Sequence, residues 1–352
     1  DIVASLDPTP LLQQHAECDA LATLWLTPDA GPRTVELRPD GRVATFRSRT
    51  PAAPGTRTFT GVHLLSGRIY RHLDTTLPAG IVPAYERALA AGEHVLGRHV
   101  PGAYWADCGM PQALLDLHRE LRIRAREGHP GGELYHSAAD WHGQACLGEA
   151  AQIEPGAEVA DCVLGPRTRV RSGVRLTNCL VGPGVVVHHD ADHAVLARPS
   201  DFEDPRVDAA VSVLGWTPEE TAVEALDARG SDRGFFRIAC GPQRAMLCVY
   251  GAQRPENARY AGHASALRQA GIPVPGLLAE SPEARWLVLE DLGGDDLLGR
   301  LRRQPPSAWA TLYAPVLDTV LRLHRNAAAA VRTCALEPAF DATVYAWEHA
   351  LF

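Results

Sequence analysis

One acidic residue, Asp107, stands out because of the residues on either side of it. The aromatic pair Tyr104–Trp105 leads into it as an extended strand, and Pro111 opens a helix with a leucine-rich face. This order places a carboxylate at the C-terminal end of a strand, where open α/β sheets bind ligands. The pattern therefore predicts a ligand site at Asp107, and the alternative is a surface Asp in an ordinary strand-to-helix turn.

Two segments in the last third of the chain also place polar residues beside strands. Gly230–Arg233, with the sequence Gly-Ser-Asp-Arg, is a turn pattern that runs into an alternating Phe-Phe-Arg-Ile strand. A further strand, Trp286–Leu289, ends directly in Glu290–Gly293, with the sequence Glu-Asp-Leu-Gly.

A cluster of histidines and carboxylates lies near the middle of the chain: His188, His189, Asp190, Asp192 and His193. These residue types serve as metal ligands and as acid–base groups. We interpret the cluster as a polar loop, with a metal or catalytic role as the alternative.

The segment just before this cluster has a six-residue period. Aliphatic residues recur at positions 153, 159, 164, 170, 176, 181 and 187, and small residues often follow them. This period predicts a left-handed parallel β-helix of about two coils over residues 151–195. So short a stack cannot bury its own faces, so we expect it to dock on a neighbouring part of the chain.

The remaining patterns predict an α/β, multidomain protein with four segments. Residues 1–125 form an α/β domain, residues 126–150 a linker, residues 151–195 the β-helix, and residues 205–352 an α+β domain. In the last segment the patterns predict strands at Arg233–Ala239, Ala245–Tyr250 and Trp286–Leu289, and helices at Pro218–Leu226, Glu256–Ala270, Ser307–Arg325 and near Thr343–Phe352.

Three pieces of the first segment resemble sugar-1-phosphate nucleotidyltransferases. YWADCGMP, around Asp107, is similar to the W-x-D-x-G-T-P stretch of that family, with Met110 at the usual Thr. FTGVHLLS (59–66) resembles the strand that lines the sugar pocket, and DIVASLD (1–7) resembles the residues after the family's N-G-D motif.

This resemblance implies a partial Rossmann-like nucleotidyltransferase fold with Mg²⁺ as cofactor. It assigns Asp107 a catalytic role and makes Asp1 and Asp107 the metal ligands, which suits the preference of Mg²⁺ for hard oxygen ligands shared with phosphates. It places Thr60 and Gly61 at the sugar, where glycine lets the backbone approach the ring. The family's glycine-rich nucleotide loop has no counterpart here, so we expect only the C-terminal part of such a domain.

The last segment resembles the N-terminal lobe of aminoglycoside-phosphotransferase-like kinases, most closely those that phosphorylate N-acetylmuramate or N-acetylglucosamine at the anomeric position. The resemblance assigns ATP phosphates to the turn Gly230, Ser231, Asp232 and Arg233. It also assigns adenine to the main chain at Glu290 and Leu292.

Two departures from that family concern charge and length. The chain contains no lysine, so the usual strand lysine is absent. Arg233 or Arg237 is a candidate replacement. The alternative is that both arginines are solvated charges at a strand edge. The H-x-D-x-x-x-x-N loop that supplies the base and a metal ligand is also absent from residues 1–352. We therefore expect an incomplete kinase domain and a chain truncated at both ends.

Composition excludes several classes of protein. The net charge is −8 without a basic run, which argues against nucleic acid as a partner, and no apolar stretch approaches the ~20 residues of a membrane helix. Eight cysteines without a Cys-x-x-Cys pair indicate reduced thiols and a cytoplasmic protein.

Together these features predict part of a bifunctional enzyme that makes NDP-sugars, with UTP or GTP, a sugar-1-phosphate and ATP as its small-molecule partners. A non-catalytic sugar-nucleotide-binding regulator or scaffold is the first alternative. A hexapeptide acyltransferase, which would bind acyl-CoA and form trimers, is the second. The nucleoside base, the sugar and the oligomeric state stay open, since a short β-helix either mediates dimers or packs on its own domain.

Overall fold

The structure is a computed structural model of the 352-residue chain. It describes residues 2–74, 80–135, 140–142, 145–226, 232–330, 332, 334 and 341–349. Contacts divide the chain into two units, residues 1–140 and 141–352. The architecture is mixed α/β, as the sequence predicts.

The first unit alternates short strands with three helices. In chain order its elements are β1 (Ile2–Ser5), α1 (Thr9–Glu17), β2 (Ala22–Thr27), β3 (Glu36–Leu37), β4 (Val43–Thr45), β5 (Thr58–Leu65), α2 (Ile81–Ala90), β6 (Val95–Arg98), β7 (Tyr104–Asp107) and α3 (Pro111–Glu127). The strand predicted around Phe59–Ser66 and the helix predicted to begin at Pro111 are both confirmed.

The core of the first unit is built around β2, which is buried at each of its six positions. This strand pairs antiparallel with β5 and parallel with β6, so both of its edges and both of its faces are covered. A strand buried on both faces needs a continuous apolar run, and Ala-Thr-Leu-Trp-Leu-Thr is close to one. Leu24, Leu26 and Val95 pack there against Tyr85 of α2.

The strand that carries Asp107 lies outside that three-stranded sheet. Among the described strands β7 pairs with β1 only, antiparallel, with Asp107 opposite Ile2 and Tyr104 opposite Ser5. Tyr104 also packs with Leu117 and Leu121, so α3 covers this two-stranded ribbon. Asp107 does end a strand as predicted, but that strand belongs to an antiparallel ribbon.

The second unit begins with the repeat and ends in helices. Its elements are β8 (Asp140–His142, at the boundary), β9 (Ala145–Leu147), β10 (Gln152–Ile153), β11 (Glu158–Ala160), β12 (Val163–Leu164), β13 (Arg169–Val170), β14 (Arg175–Thr177), β15 (Leu180–Val181), β16 (Val186–Val187), β17 (Ala191–Asp192), β18 (Val195–Ala197), α4 (Pro205–Val213), β19 (Thr221–Leu226), β20 (Arg233–Cys240), β21 (Gln243–Tyr250), α5 (Tyr260–Gln269), β22 (Leu277–Ser281), β23 (Trp286–Glu290), α6 (Leu297–Arg302), α7 (Trp309–Ala330) and α8 (Ala342–His349).

The hexad repeat forms a parallel β-solenoid of about three turns, where the sequence predicted about two. Equivalent residues stack directly: Leu164 pairs with Val181, Val170 with Val187, and Leu176 with Ala191. Leu164, Val170 and Leu176 are each at most 1% exposed. The hexad spacing therefore places one aliphatic residue from each short side in the solenoid core.

The solenoid continues into an antiparallel sheet through its last strand. β18 pairs with β15 on one edge and, antiparallel, with β19 on the other. From there β19, β20, β21, β23 and β22 lie side by side, all antiparallel. One face of this sheet packs against α4 through Val223, Ile238 and Val207. The expectation that the coils dock on a neighbouring part of the chain is thus confirmed.

One predicted element is wrong. The segment Pro218–Leu226, predicted as a helix, is a short 3₁₀ turn at Pro218–Glu220 followed by the strand β19. Its Glu and Ala residues favour helix, but Ala222 and Val223 are buried in the sheet with β18 and β20 as neighbours. Tertiary pairing therefore overrides the local propensity.

Among the described helices, none combines the length and apolarity needed to cross a bilayer.

The close packing of successive coils gives a test of the solenoid. A Cβ added at Gly165 would lie 2.7 Å from the backbone nitrogen of Pro183 in the next turn. We expect Gly165→Ala to lower the free energy of unfolding by about 1–3 kcal/mol, because backbone on the neighbouring turn cannot move aside locally. Urea unfolding followed by circular dichroism measures the change.

Gly262→Ala is the matched control in the same unit. Gly262 lies in α5, with no atom within 4 Å of the position of a Cβ, and a helix favours Ala over Gly. We expect its stability to stay the same or to rise by up to about 1 kcal/mol. Equal losses in the two variants would contradict the close approach of the coils.

Candidate functional site

Asp107 is exposed and its carboxylate has few protein partners. It is the last residue of β7, and its Oδ1 accepts a hydrogen bond from Gly109 N at 3.1 Å, which shapes the turn toward α3. The first turn of α3, beginning at Pro111, adds the positive end of a helix dipole nearby. Asp1 lies outside the described residues, while its neighbour Ile2 is the register partner of Asp107.

The side chain of Trp105 connects this ribbon to the sugar-pocket strand of the sequence prediction. Its Nε1 donates to the carbonyl of Thr60 at 2.9 Å. Gly61, which follows, has φ +86°, and a Cβ there would lie 3.5 Å from Ile2 Cδ1. The structure therefore brings Thr60, Gly61 and Asp107 to one end of the first unit.

Thr60 is itself committed to the fold. Its side chain is buried, and its Oγ1 donates to the carbonyl of Trp25 at 2.9 Å. Gly61, in contrast, is exposed, so its backbone is available to a ligand. Thr60 thus positions Gly61 and has no free hydroxyl of its own.

The sequence analysis missed one residue of this neighbourhood, His63. It follows Gly61 by two positions on β5, where the register between β5 and β2 shifts, and its ring stacks on Phe59 with the ring centroids 5.7 Å apart. Its Nδ1 lies 3.0 Å from the hydroxyl of the buried Tyr85, and burial lowers the pKa of His63. The available signal was a histidine only two positions after Gly61, the residue assigned to the sugar.

In the second unit, two residues of the phosphate turn belong to a side-chain network. Asn257 Nδ2 donates to Asp232 Oδ1 at 2.7 Å, and Arg233 Nε donates to Asn257 Oδ1 at 2.7 Å. Asp232 and Arg233 border a cavity of about 470 Å³ together with Arg206 and Arg285. Gly230 and Ser231 lie outside the described residues. Asn257, which is 2% exposed, thus fixes the start of β20.

Arg237 lies between two carboxylates on one face of the sheet. Its Nε is 3.0 Å from Asp291 Oδ2 and its Nη1 is 3.1 Å from Glu224 Oε2. Arg244 Nε lies 3.7 Å from the same Asp291 oxygen. The Asp291 side chain is 1% exposed, so it is a buried charge that depends on these arginines. Arg237 is therefore a paired residue, and the alternative of a solvated strand-edge charge does not apply to it.

The segment after β23 is anchored at Glu290, and its next backbone donor, the Leu292 N–H, has no partner among the described residues. Glu290 N donates to Gly276 O at 2.7 Å, and Glu290 Oε2 accepts from Gly276 N at 3.0 Å. Gly293, with φ +86°, donates to Asp291 Oδ1 at 2.9 Å. Within the described part of the chain, Leu292 N–H makes no hydrogen bond, and its side chain is 69% exposed.

The histidine cluster divides into inward and outward members. His188, His189, Asp190 and Asp192 line a cavity of about 320 Å³ beside β19 and β20. His188 Nε2 lies 3.3 Å from Glu220 Oε2, whereas His193 is exposed and contacts Asp192 at 2.9 Å. The described residues contain no group of three or more His, Cys, Asp or Glu side chains arranged to hold a metal.

No family model and no curated protein matches this chain. An assignment of function therefore depends on the two groups of residues just described. The first surrounds Asp107 in the first unit, and the second surrounds Asp291 and Leu292 in the second unit.

The buried carboxylate of Asp291 gives a test of the second group. Asp291→Asn removes the negative charge that pairs with Arg237 and Arg244, although the amide oxygen still accepts from Gly293. We expect the free energy of unfolding to fall by about 2–4 kcal/mol, because a paired charge that is removed leaves its partners uncompensated. Urea unfolding of the variant measures the loss.

Asp295→Asn is the control, four residues further along. Asp295 is 43% exposed and pairs with Arg300 and Arg303 at the surface, so we expect a loss of less than about 1 kcal/mol. Comparable losses in both variants would show that burial of Asp291 does not matter to stability.

Proposed function

We propose that this chain is part of a bifunctional enzyme that makes nucleoside-diphosphate sugars in the cytoplasm. One activity couples a sugar-1-phosphate to UTP or GTP and releases pyrophosphate. The other phosphorylates the sugar at its anomeric position with ATP. The two reactions are consecutive, because the product of the kinase is the substrate of the transferase.

The observation that carries the transferase activity is the meeting of Asp107, Gly61 and Trp105. Gly61 lies far in sequence from Trp105 and Asp107, yet the Trp105 hydrogen bond to Thr60 joins the strand of Gly61 to the ribbon that ends in the exposed Asp107. That arrangement suits a sugar phosphate, with the ring against the backbone and the phosphate toward the carboxylate through a cation.

In the transferase reaction an oxygen of the sugar phosphate attacks the α-phosphorus of the nucleotide, and the bond to pyrophosphate breaks. The role of the protein is to position the two reactants and to balance their charge. Mg²⁺, when bound at Asp107, neutralises phosphate charge. Asp107 holds the cation, Gly61 leaves room for the sugar ring, and Thr60 fixes the backbone at Gly61.

The kinase activity is supported by the order of the elements in the second unit. Strands β19, β20, β21, β22 and β23, with α5 after β21, follow one another and join in a single antiparallel sheet. The free Leu292 N–H at the end of β23 is a donor for adenine, and Asn257 holds Asp232 and Arg233 at the start of β20.

The metal role of Asp107 is tested by Asp107→Asn in the intact bifunctional enzyme of which this chain is proposed to be a part. We expect Mg²⁺-dependent pyrophosphate release to fall by about 100-fold or more, because a neutral amide is a poor ligand for Mg²⁺. The assay follows pyrophosphate from UTP and from GTP with a panel of sugar-1-phosphates.

Asp116→Asn is the matched control. Asp116 is an exposed carboxylate of α3 that pairs with Arg119, and we expect activity within about twofold of the parent. Activity of Asp107→Asn within a few-fold of the parent would overturn the metal role. Binding of UDP- or GDP-sugars without turnover, measured by thermal shift, would favour a sugar-nucleotide-binding regulator instead.

A further inference from the structure

Two cysteines lie one above the other in the core of the solenoid. The register between β11 and β14, and again between β12 and β15, joins residues 17 positions apart, so Cys162 lies opposite Cys179 on the next turn. The two residues are 2% and 0% exposed and belong to the apolar cluster inside the coils. All eight cysteines of the chain are free thiols, so neither member of this pair is bonded elsewhere.

The spacing of successive turns suits a covalent link between the two residues. Neighbouring strands lie about 4.8 Å apart, inside the range of roughly 4.4–6.8 Å that separates the Cα atoms of disulfides. Cys162 Sγ already reaches the next turn, where it accepts a hydrogen bond from Cys179 N at 3.3 Å. The same column continues with Ala145 below and Ala194 above, which present only methyl groups to the two thiols.

The hydrogen bonds make the two thiols chemically different. Each thiol donates to a carbonyl of its own turn, Cys162 to Ala160 O at 3.1 Å and Cys179 to Thr177 O at 3.2 Å. Hydrogen bonding by Cys179 to Cys162 Sγ lowers the pKa of Cys162, and the same interaction, together with burial, raises the pKa of Cys179. Cys162 is therefore the better nucleophile, because the thiolate is the reactive form.

Both cysteines lie at a corner of the solenoid, between strands. β11 ends at Ala160 and β12 begins at Val163. The residues just before the two cysteines, Asp161 and Asn178, have the left-handed backbone of a corner, with φ 51° and 53°. Because burial shields thiols from solutes, we expect an oxidant to reach the pair when this corner opens, a local motion that leaves the flanking strands paired.

We propose that Cys162 and Cys179 are an oxidation-sensitive pair that forms a disulfide between successive turns of the solenoid. The oxidant of this step is a peroxide. The Cys162 thiolate attacks one peroxide oxygen, the O–O bond breaks, and protonation of the leaving oxygen gives a sulfenic acid and water when the oxidant is hydrogen peroxide. Cys179 Sγ then attacks the sulfenic sulfur, the S–O bond breaks, and a second water carries away the thiol proton. Two thiols are oxidised to one disulfide, and one peroxide is reduced to two waters.

The disulfide would tie the turn that carries β12 to the turn that carries β15. β15 pairs with β18, through which the solenoid joins the antiparallel sheet, so the link strengthens the coils at this junction. A bond between residues 17 positions apart restricts the unfolded chain. We expect the oxidised form to unfold at a temperature about 5 °C or more above that of the reduced form.

Treatment of the folded full chain with hydrogen peroxide tests the proposal. The remaining thiols are then alkylated in denaturant, and trypsin cleaves between the two cysteines at Arg167 and at further arginines. Mass spectrometry without reductant should identify the two peptides joined and lighter by two hydrogen atoms. We expect dithiothreitol to separate them and to reverse the rise in unfolding temperature.

Two variants separate this pair from the other thiols. Cys162→Ala should abolish the linked peptides and the rise in unfolding temperature. Cys146→Ala is the matched control, because Cys146 lies in the same sheet but alternates out of the core, and we expect both effects to persist in it. Peroxide treatment that leaves both thiols free in the folded parent chain, or a link that forms only after unfolding in urea, would overturn the proposal.

Discussion

The pairing of β18 with β19 is the constraint on which the second unit depends. A parallel solenoid exposes unpaired backbone groups at the end of each sheet, and such edges are stable only when they are covered or paired. Here Leu196 and Ala197 pair with Glu224 and Val223, so the free edge of the coil becomes the first edge of the antiparallel sheet. That register sets the distance between the last solenoid turn and the face that carries Arg237, and the space left there is the cavity.

A comparable constraint acts in the first unit. There it comes from hydrogen bonds to backbone carbonyls and not from the pairing of strand edges. β2 is fully buried, and its carbonyl at Trp25 receives the hydroxyl of Thr60, whose own carbonyl receives Trp105 Nε1. This chain of two hydrogen bonds links the buried sheet to the antiparallel ribbon of β1 and β7. Asp107 is exposed at the end of that ribbon, so its position depends on interactions of buried residues that have no chemical role.

Much of the architecture was predictable from local patterns. The hexads predicted the solenoid, because its core takes one aliphatic residue per short side, and the alternation at Phe235–Ile238 predicted β20. β19 was not predictable, because a segment rich in Glu and Ala has a local preference for helix. It becomes a strand through pairing with its neighbours in the sheet. The additional solenoid turn was missed for a related reason: the strand that begins the first turn, β9, lies before the regular hexads, in the segment predicted as a linker.

The residue types available for chemistry are evident from the amino-acid sequence: one carboxylate between a strand and a helix, arginine as the basic residue throughout, with no lysine, and a histidine pair after the coil. Which of these residues lie in contact is evident from the fold alone. Arg237 is paired because Asp291 and Glu224 approach it from other strands, and His189 faces a cavity because β19 turns back along β18. Side-chain periodicity is a local property, so it predicts where strands and helices form. Contacts between distant residues depend instead on the register in which strands far apart in sequence pair, and that register is not encoded locally.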